Sequence, residues 1–197
     1  AVDIAGAEGL FPTENFAPVF AKVREYGIPM TIHAGEAAGP DSMKTALSFG
    51  TKRIGHGVAA INDPELIKRL IDENVTLEVC VTSNYHTKVV PAINMHPIHK
   101  LLEAGVHVTV NSDNRTCSRT TLQKEKEVLK EELGFTDEEI EKMSWLGISG
   151  IANVLCCIKM AKYYELTEND VVGTVLTDSA AMYQSRVDEL NQLHGAY

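Results

Sequence analysis

Three short segments of this chain carry side chains that could do chemistry together. In Thr31-Ile32-His33-Ala34-Gly35-Glu36 an imidazole stands three residues before a carboxylate, and the glycine between them permits a turn that lets both face one pocket. In Arg53-Ile54-Gly55-His56-Gly57 glycines flank a second imidazole, so the backbone can approach a ligand and the ring is little covered by neighbours. In Val108-Thr109-Val110-Asn111-Ser112-Asp113-Asn114 a carboxylate and an amide sit side by side after an apolar run. Each segment alone reads first as structural hydrogen bonding. Jointly they offer His33 and Asp113 as part of an imidazole and carboxylate ligand set of the kind that suits zinc, although neither residue alone can hold a metal.

These segments need elements that bring them to one place. Short β-branched runs at Val2 to Ala5, Met30 to Ala34, Lys52 to His56, Val75 to Val81 and Val106 to Asn111 read as buried parallel strands. Between them, helical patterns run from Glu14 to Tyr26, Pro40 to Phe49, Pro64 to Glu73 and Pro97 to Glu103, with prolines near starts and glycines near ends. The alternation predicts βαβα units with right-handed crossovers. Beyond Asn114 the pattern turns to consecutive helices at Thr121 to Leu133, Thr136 to Trp145 and Ser149 to Tyr164, with a further helix over Thr167 to Leu193. Thr136 and Glu139 form a capping-box pair. Strand number alone does not separate an open doubly wound sheet from part of a closed barrel. The polar residues do more, because His33, Glu36, His56, Ser83, Asn84, Asp113 and Asn114 follow nearly every strand, as on the catalytic rim of a βα barrel.

The segments HAGE, RIGHG and NSDN, in this order and spacing, resemble the adenosine deaminases of the metal-dependent amidohydrolase superfamily, bacterial type. Asp3-Ile4-Ala5-Gly6, Leu77-Glu78-Val79-Cys80 with Ser83-Asn84, and His96-Pro97-Ile98 add to the resemblance, which runs from about Ala1 to about Leu133. It implies an α/β fold, part of a TIM (β/α)8 barrel of the metal-dependent hydrolase type, with parallel strands followed by C-terminal helices. It also implies zinc-dependent hydrolysis of adenosine or 2′-deoxyadenosine to the inosine product and ammonia. On that resemblance His33 and Asp113 are zinc ligands, and Glu36 is the proton donor to purine N1. His56 orients and deprotonates the attacking water, and Gly6 and Asn114 hold the purine. Asn114 stands where many members have a second aspartate; its amide still donates a hydrogen bond. The family draws two more zinc ligands from an HxH motif, and no HxH occurs in this sequence. The chain is therefore expected to be the C-terminal portion of such a barrel, its 197 residues forming one domain. Either self-association or an N-terminal fragment would cover its open sheet edges.

Composition narrows the partners. A formal charge of −9 and a pI near 5.2 disfavour a reader of phosphate backbones and suit a small neutral purine nucleoside. No membrane-spanning run or signal peptide is expected, and four cysteines without a CxxC pair suggest reduced thiols in a cytoplasm. Two other readings stay open: an adenine or adenosine-monophosphate deaminase of the same fold, and a non-catalytic fragment that assembles through its edges. His86, His99, His107 and His194 are expected to pack or to face solvent, His96 to start a helix, and Cys80, Cys156 and Cys157 to serve as small core residues. The charged stretch from Lys124 to Glu132 is expected to be a solvated helix face.

Overall fold

The computed structural model describes residues 2–143 and 157–167. Five parallel strands pair in chain order: β1 (Val2–Ile4), β2 (Met30–Ala34), β3 (Arg53–His56), β4 (Thr76–Val79) and β5 (His107–Val110). Among the described residues β1 and β5 are the sheet edges. The helices between strands are α1 (Ala17–Glu25), α2 (Pro40–Ser48), α3 (Pro64–Asp72), α4 (Val81–His86) and α5 (Ile98–Glu103). After β5 come α6 (Arg115–Ser118), α7 (Leu122–Glu131) and α8 (Asp137–Lys142), and residues 157–163 are helical.

The register makes the two faces of the sheet chemically different. Ile4, Ile32, Ile54, Leu77 and Val108 pair in one unbroken row across all five strands. With side chains alternating along each strand, this face is aliphatic and packs against Met43, Leu47, Leu70, Ile98 and Leu101 of the helices. The other face carries Asp3, Thr31, His33, Arg53, Glu78 and Thr109, tied by an Arg53 Nε to Glu78 Oε1 contact of 2.6 Å.

All five expected strands are present, within two residues of their expected ends. The departures are local. The Val75 to Val81 run ends as a strand at Val79, and Val81 instead opens α4. Its β-branched pair Val81-Thr82 reads as extended in sequence. Here, however, Asn84 N–H closes a turn on Cys80 O at 2.8 Å and Thr82 N–H reaches the Glu125 carboxylate at 3.2 Å. That contact also corrects the reading of Lys124 to Glu132 as wholly solvated. Glu125 on α7 is fully buried, its second oxygen taking the Thr120 hydroxyl at 2.7 Å, because a carboxylate can leave water when donors replace it. The Thr136–Glu139 capping box forms as expected. Trp145, Cys156, His194, the first half of the helix expected from Ser149 and all of that from Thr167 beyond its first residue lie outside the described residues.

Leu77 lies at the centre of the aliphatic row, is fully buried, and also fills the space beside Gly57. Leu77→Ala should lower stability by about 2–5 kcal/mol through lost transfer energy and the cavity left behind. The check is the shift in urea midpoint at unchanged slope; a shift too small to measure would show that the row does not carry the core.

Candidate active site

The carboxyl ends of β2, β3 and β5 bring His33, His56 and Asp113 together. One potential ligand atom from each lies within 4.8 Å of the other two. The rings of His33 and His56 meet edge to face, with centroids 5.0 Å apart. The sequence-expected pair His33 and Asp113 therefore shares one rim, as expected.

Backbone geometry makes this convergence possible. His56 (φ 62°), the last residue of β3, and Asp113 (φ 51°), in the loop after β5, both take left-handed conformations. Such conformations cost non-glycine residues about 1–3 kcal/mol each and cluster at functional sites. Gly55 pairs with His33 across the ladder, and a Cβ there would meet the His33 ring at 2.9 Å from Nδ1. The close approach expected of that glycine is thus to an imidazole of the chain itself.

Each reactive side chain has a fixed polar neighbour. His33 Nδ1–H donates to Asp3 Oδ1 at 3.3 Å, leaving the lone pair on Nε2 for a cation, an arrangement common behind metal-binding histidines. Asp113 Oδ2 accepts from the Ser83 hydroxyl at 2.6 Å. Glu36 Oε1 accepts from the Thr87 hydroxyl at 3.1 Å, and its Oε2 lies 3.5 Å from His56 Nε2. The HAGE turn itself is clamped by Glu8, whose carboxylate accepts from the amides of Gly35, Glu36, Ala37 and Ala38 at 2.7–3.2 Å. Behind His56, Asn84 Nδ2 lies 3.1 Å from His56 Nδ1, while Asn84 Oδ1 lies 3.3 Å from His96 Nε2. His96 Nδ1 accepts the Ile98 amide at 3.2 Å, so His96 does stand at a helix start and also reaches the site from behind.

The two central imidazoles differ electrostatically. Burial works against charge on His33, but the bonded Asp3 carboxylate and the fields of Asp3, Asp113 and Glu36 outweigh it and raise its pKa. For His56 burial prevails, with His33 adding to it against the pull of Glu36 and Asp113, and the pKa is lowered. Burial, with help from His56, pushes His96 down to about 4.

The remaining expected residues are placed as follows. Gly6 lines a cavity of ≈ 220 Å³ together with Ile4, Glu8, Phe11, Phe16 and His33. Asn114 is exposed and caps α6, its Oδ1 accepting from the Thr116 and Cys117 amides, which leaves its amide nitrogen as the group able to donate. His99 stacks on Phe135 at 3.8 Å and contacts Leu133 O, and Cys80 is buried, both in packing roles as expected. Asp3, Glu8 and Thr87 carried no site role in the sequence reading. Ser83 and Asn84 stood there among the polar residues of the rim, without an assigned task, and His96 only as a helix start. Position after β4 was the signal for Ser83 and Asn84, whereas Thr87 and His96 stand beside α4 and α5 and carry no such signal.

A family profile described as adenosine deaminase matches residues 1–153. An adenosine deaminase from Haemophilus ducreyi is 45% identical over 143 residues, 73% of this chain and 42% of that protein. An adenine deaminase from Rhizobium meliloti is 44% identical over 143 residues, 72% of this chain and 44% of that protein. The chain thus spans less than half the length of these curated relatives. Among solved structures, a Burkholderia ambifaria amidohydrolase with bound Zn superposes with TM-score 0.66 at 21% identity, covering 82% of this chain and 49% of that one. With the five-stranded parallel sheet, the likeness shows the fold to be part of a (β/α)8 barrel.

Because His96 is held neutral in the fold and free to charge when unfolded, the unfolded state binds more protons between pH 6.5 and about 4. Stability should therefore fall as pH drops through 6.5 and stop falling on this account below about 4. The loss is at most about 3 kcal/mol. Urea unfolding of wild type and His96→Gln across this range isolates the contribution, and parallel pH profiles for the two would refute it.

Proposed function

Because the chain belongs to the adenosine deaminase family, we propose that it forms part of a zinc-dependent enzyme that hydrolyses adenosine and 2′-deoxyadenosine to the inosine product and ammonia. The observation that carries this reading is the meeting of His33, His56 and Asp113 within 4.8 Å, with Glu36 beside His56. On this reading the enzyme serves purine salvage in the cytoplasm. Among the described residues no helix is long and apolar enough to cross a membrane.

The donor set supports a metal in part. His33 presents Nε2 while its other nitrogen is held by a carboxylate, and Asp113 is oriented by Ser83. These two residues would hold the ion together with further ligands from the HxH motif that the family carries, with a position left for water. A bound zinc ion would supply Lewis acidity, which lowers the pKa of a water ligand from 15.7 to about 7.

This chain's own residues have distinct tasks. Glu36 gives a proton to purine N1, drawing electrons from C6; water adds at C6, the C6–N bond breaks, the amino group leaves as ammonia, and the two protons of that water end on the ammonia and on Glu36. General acid catalysis of this kind contributes about 10²–10⁴-fold. His56, buried at the rim, orients the attacking water. The backbone at Gly6 faces the cavity that takes the purine, and the Asn114 amide donates toward N7. A second reading, adenine deamination, is favoured by the similarity to the Rhizobium meliloti protein, at nearly the same identity.

The decisive experiment supplies the chain with zinc and with the HxH-bearing segment of a related deaminase, then follows loss of adenine absorbance. Adenosine should be consumed with inosine formed; no turnover of adenosine by the reconstituted pair would overturn the reading, and turnover of adenine alone would establish the second one. In that assembly Glu36→Gln should lower kcat about 10²–10⁴-fold with little change in KM. Ser83→Ala should weaken zinc about 10–100-fold in competition with a chelator, since it removes the group that orients Asp113. Unchanged values in either variant would remove that residue from its role.

A further inference from the structure

We propose that Asn84 and His96 are positioning residues that hold His56 as its Nε2–H tautomer, so that His56 meets the cleft as a hydrogen-bond donor. The polarity is set at a backbone amide. Ile98 N–H, in the first turn of α5, lies 3.2 Å from His96 Nδ1. An amide N–H can only donate, so Nδ1 of His96 carries the lone pair and Nε2 of the neutral ring carries the hydrogen. That Nε2–H faces Asn84 Oδ1 at 3.3 Å, an atom that can only accept. The Asn84 amide nitrogen is thereby turned toward His56 Nδ1 at 3.1 Å, where it can only donate. Nδ1 of His56 accepts, and the hydrogen of its neutral ring sits on Nε2, 3.5 Å from Glu36 Oε2.

The opposite polarity is blocked at the far end. Flipping the Asn84 amide would aim its hydrogens at His96 Nε2–H. His96 cannot answer by moving its hydrogen to Nδ1, because the Ile98 amide already points there and the backbone cannot rotate it away. His56, Asn84 and His96 are 2%, 0% and 5% exposed, so no bulk water reaches the chain to satisfy a mismatched donor. Every donor and acceptor along it is matched in one sense only.

Two consequences follow for the site. His56 Nε2 has no lone pair to give, so His56 would not bind a cation even though it belongs to the group within 4.8 Å, which leaves His33 and Asp113 as the two that could. An oxygen lying between His56 and those residues receives a hydrogen bond from His56, which orients it without taking its proton, in place of the deprotonation that the family resemblance implied for His56. Only the identity of that oxygen, the attacking water, rests on the deaminase reading. The tautomer is a property of this chain.

The test uses the protein with ¹⁵N-labelled histidine, free of metal at neutral pH, and reads ring tautomers from long-range ¹H–¹⁵N correlation spectra. His56 and His96 should both show the Nε2–H pattern. In Asn84→Asp a carboxylate accepts from both sides, so the His56 pattern should invert to Nδ1–H while His96 is unchanged. His96→Leu removes the anchor and should leave His56 a mixture; His96→Gln, able to donate to Asn84 Oδ1, should restore one tautomer. A wild-type His56 in the Nδ1–H form would overturn the proposal, as would a folded Asn84→Asp variant with His56 unchanged. The wild-type spectrum decides the matter even where a variant does not fold. No turnover is required, so a chain that shows Nε2–H but never deaminates adenosine refutes only the proposed reaction, whereas turnover with Nδ1–H refutes only this inference.

Discussion

Parallel pairing in strict register is the constraint on which the site depends. Every strand ends on the same rim, so residues far apart in sequence converge wherever adjacent strands stop at matching heights. The row Ile4, Ile32, Ile54, Leu77 and Val108 fixes those heights, because each member buries itself against the helices only in this alignment. A slip of one residue would exchange the two faces of a strand, placing His33 among the helices and Ile32 on the polar side. The hydrophobic core therefore helps to set the geometry of the candidate site.

Register brings the strand ends together, but it does not aim the side chains. His56 and Asp113 reach inward through left-handed backbone conformations, which the flanking sheet must hold in place. The HAGE turn is aimed differently: four consecutive amides close around one carboxylate, that of Glu8 from the loop after β1. Successive amides of this kind form an anion-binding concavity, here filled from within the chain. Glu36 thus inherits its position from a residue far away in sequence, and the loop beside the cavity is fastened to the catalytic turn.

Much of this was legible in the residues themselves. Alternating β-branched runs and proline-led helices gave the order of elements, and the strand-end positions of His33, Glu36, His56 and Asp113 pointed to one rim. What stayed hidden depends on long-range partners. Val81 and Thr82 have the composition of a strand, and only the Glu125 carboxylate and the turn at Cys80 explain why a helix begins there. Glu125 has the look of a surface residue within a charged run until Thr120 and Thr82 are seen to replace its water. His96 reads as a helix start, which it is, but no local pattern says that its ring also faces Asn84.

The two imidazoles at the centre show how such partners turn one residue type into two tools. His33 and His56 stand 5.0 Å apart and share the carboxylates of Glu36 and Asp113, so the surrounding field alone would not give them different tasks. Their second nitrogens decide. Asp3 accepts from His33, whose neutral ring then keeps its lone pair facing the cleft; Asn84 donates to His56, whose lone pair is thereby used on the buried side. Their pKa values also move in opposite directions from the same starting value: burial is outweighed at His33 by the bonded Asp3 carboxylate and the neighbouring acids, and prevails at His56. Separation of this kind between neighbouring titratable groups is how one pocket holds a group that gives electrons beside one that gives a hydrogen bond. Exchanging the partners, a carboxylate behind His56 and an amide behind His33, would exchange those tasks without altering either imidazole.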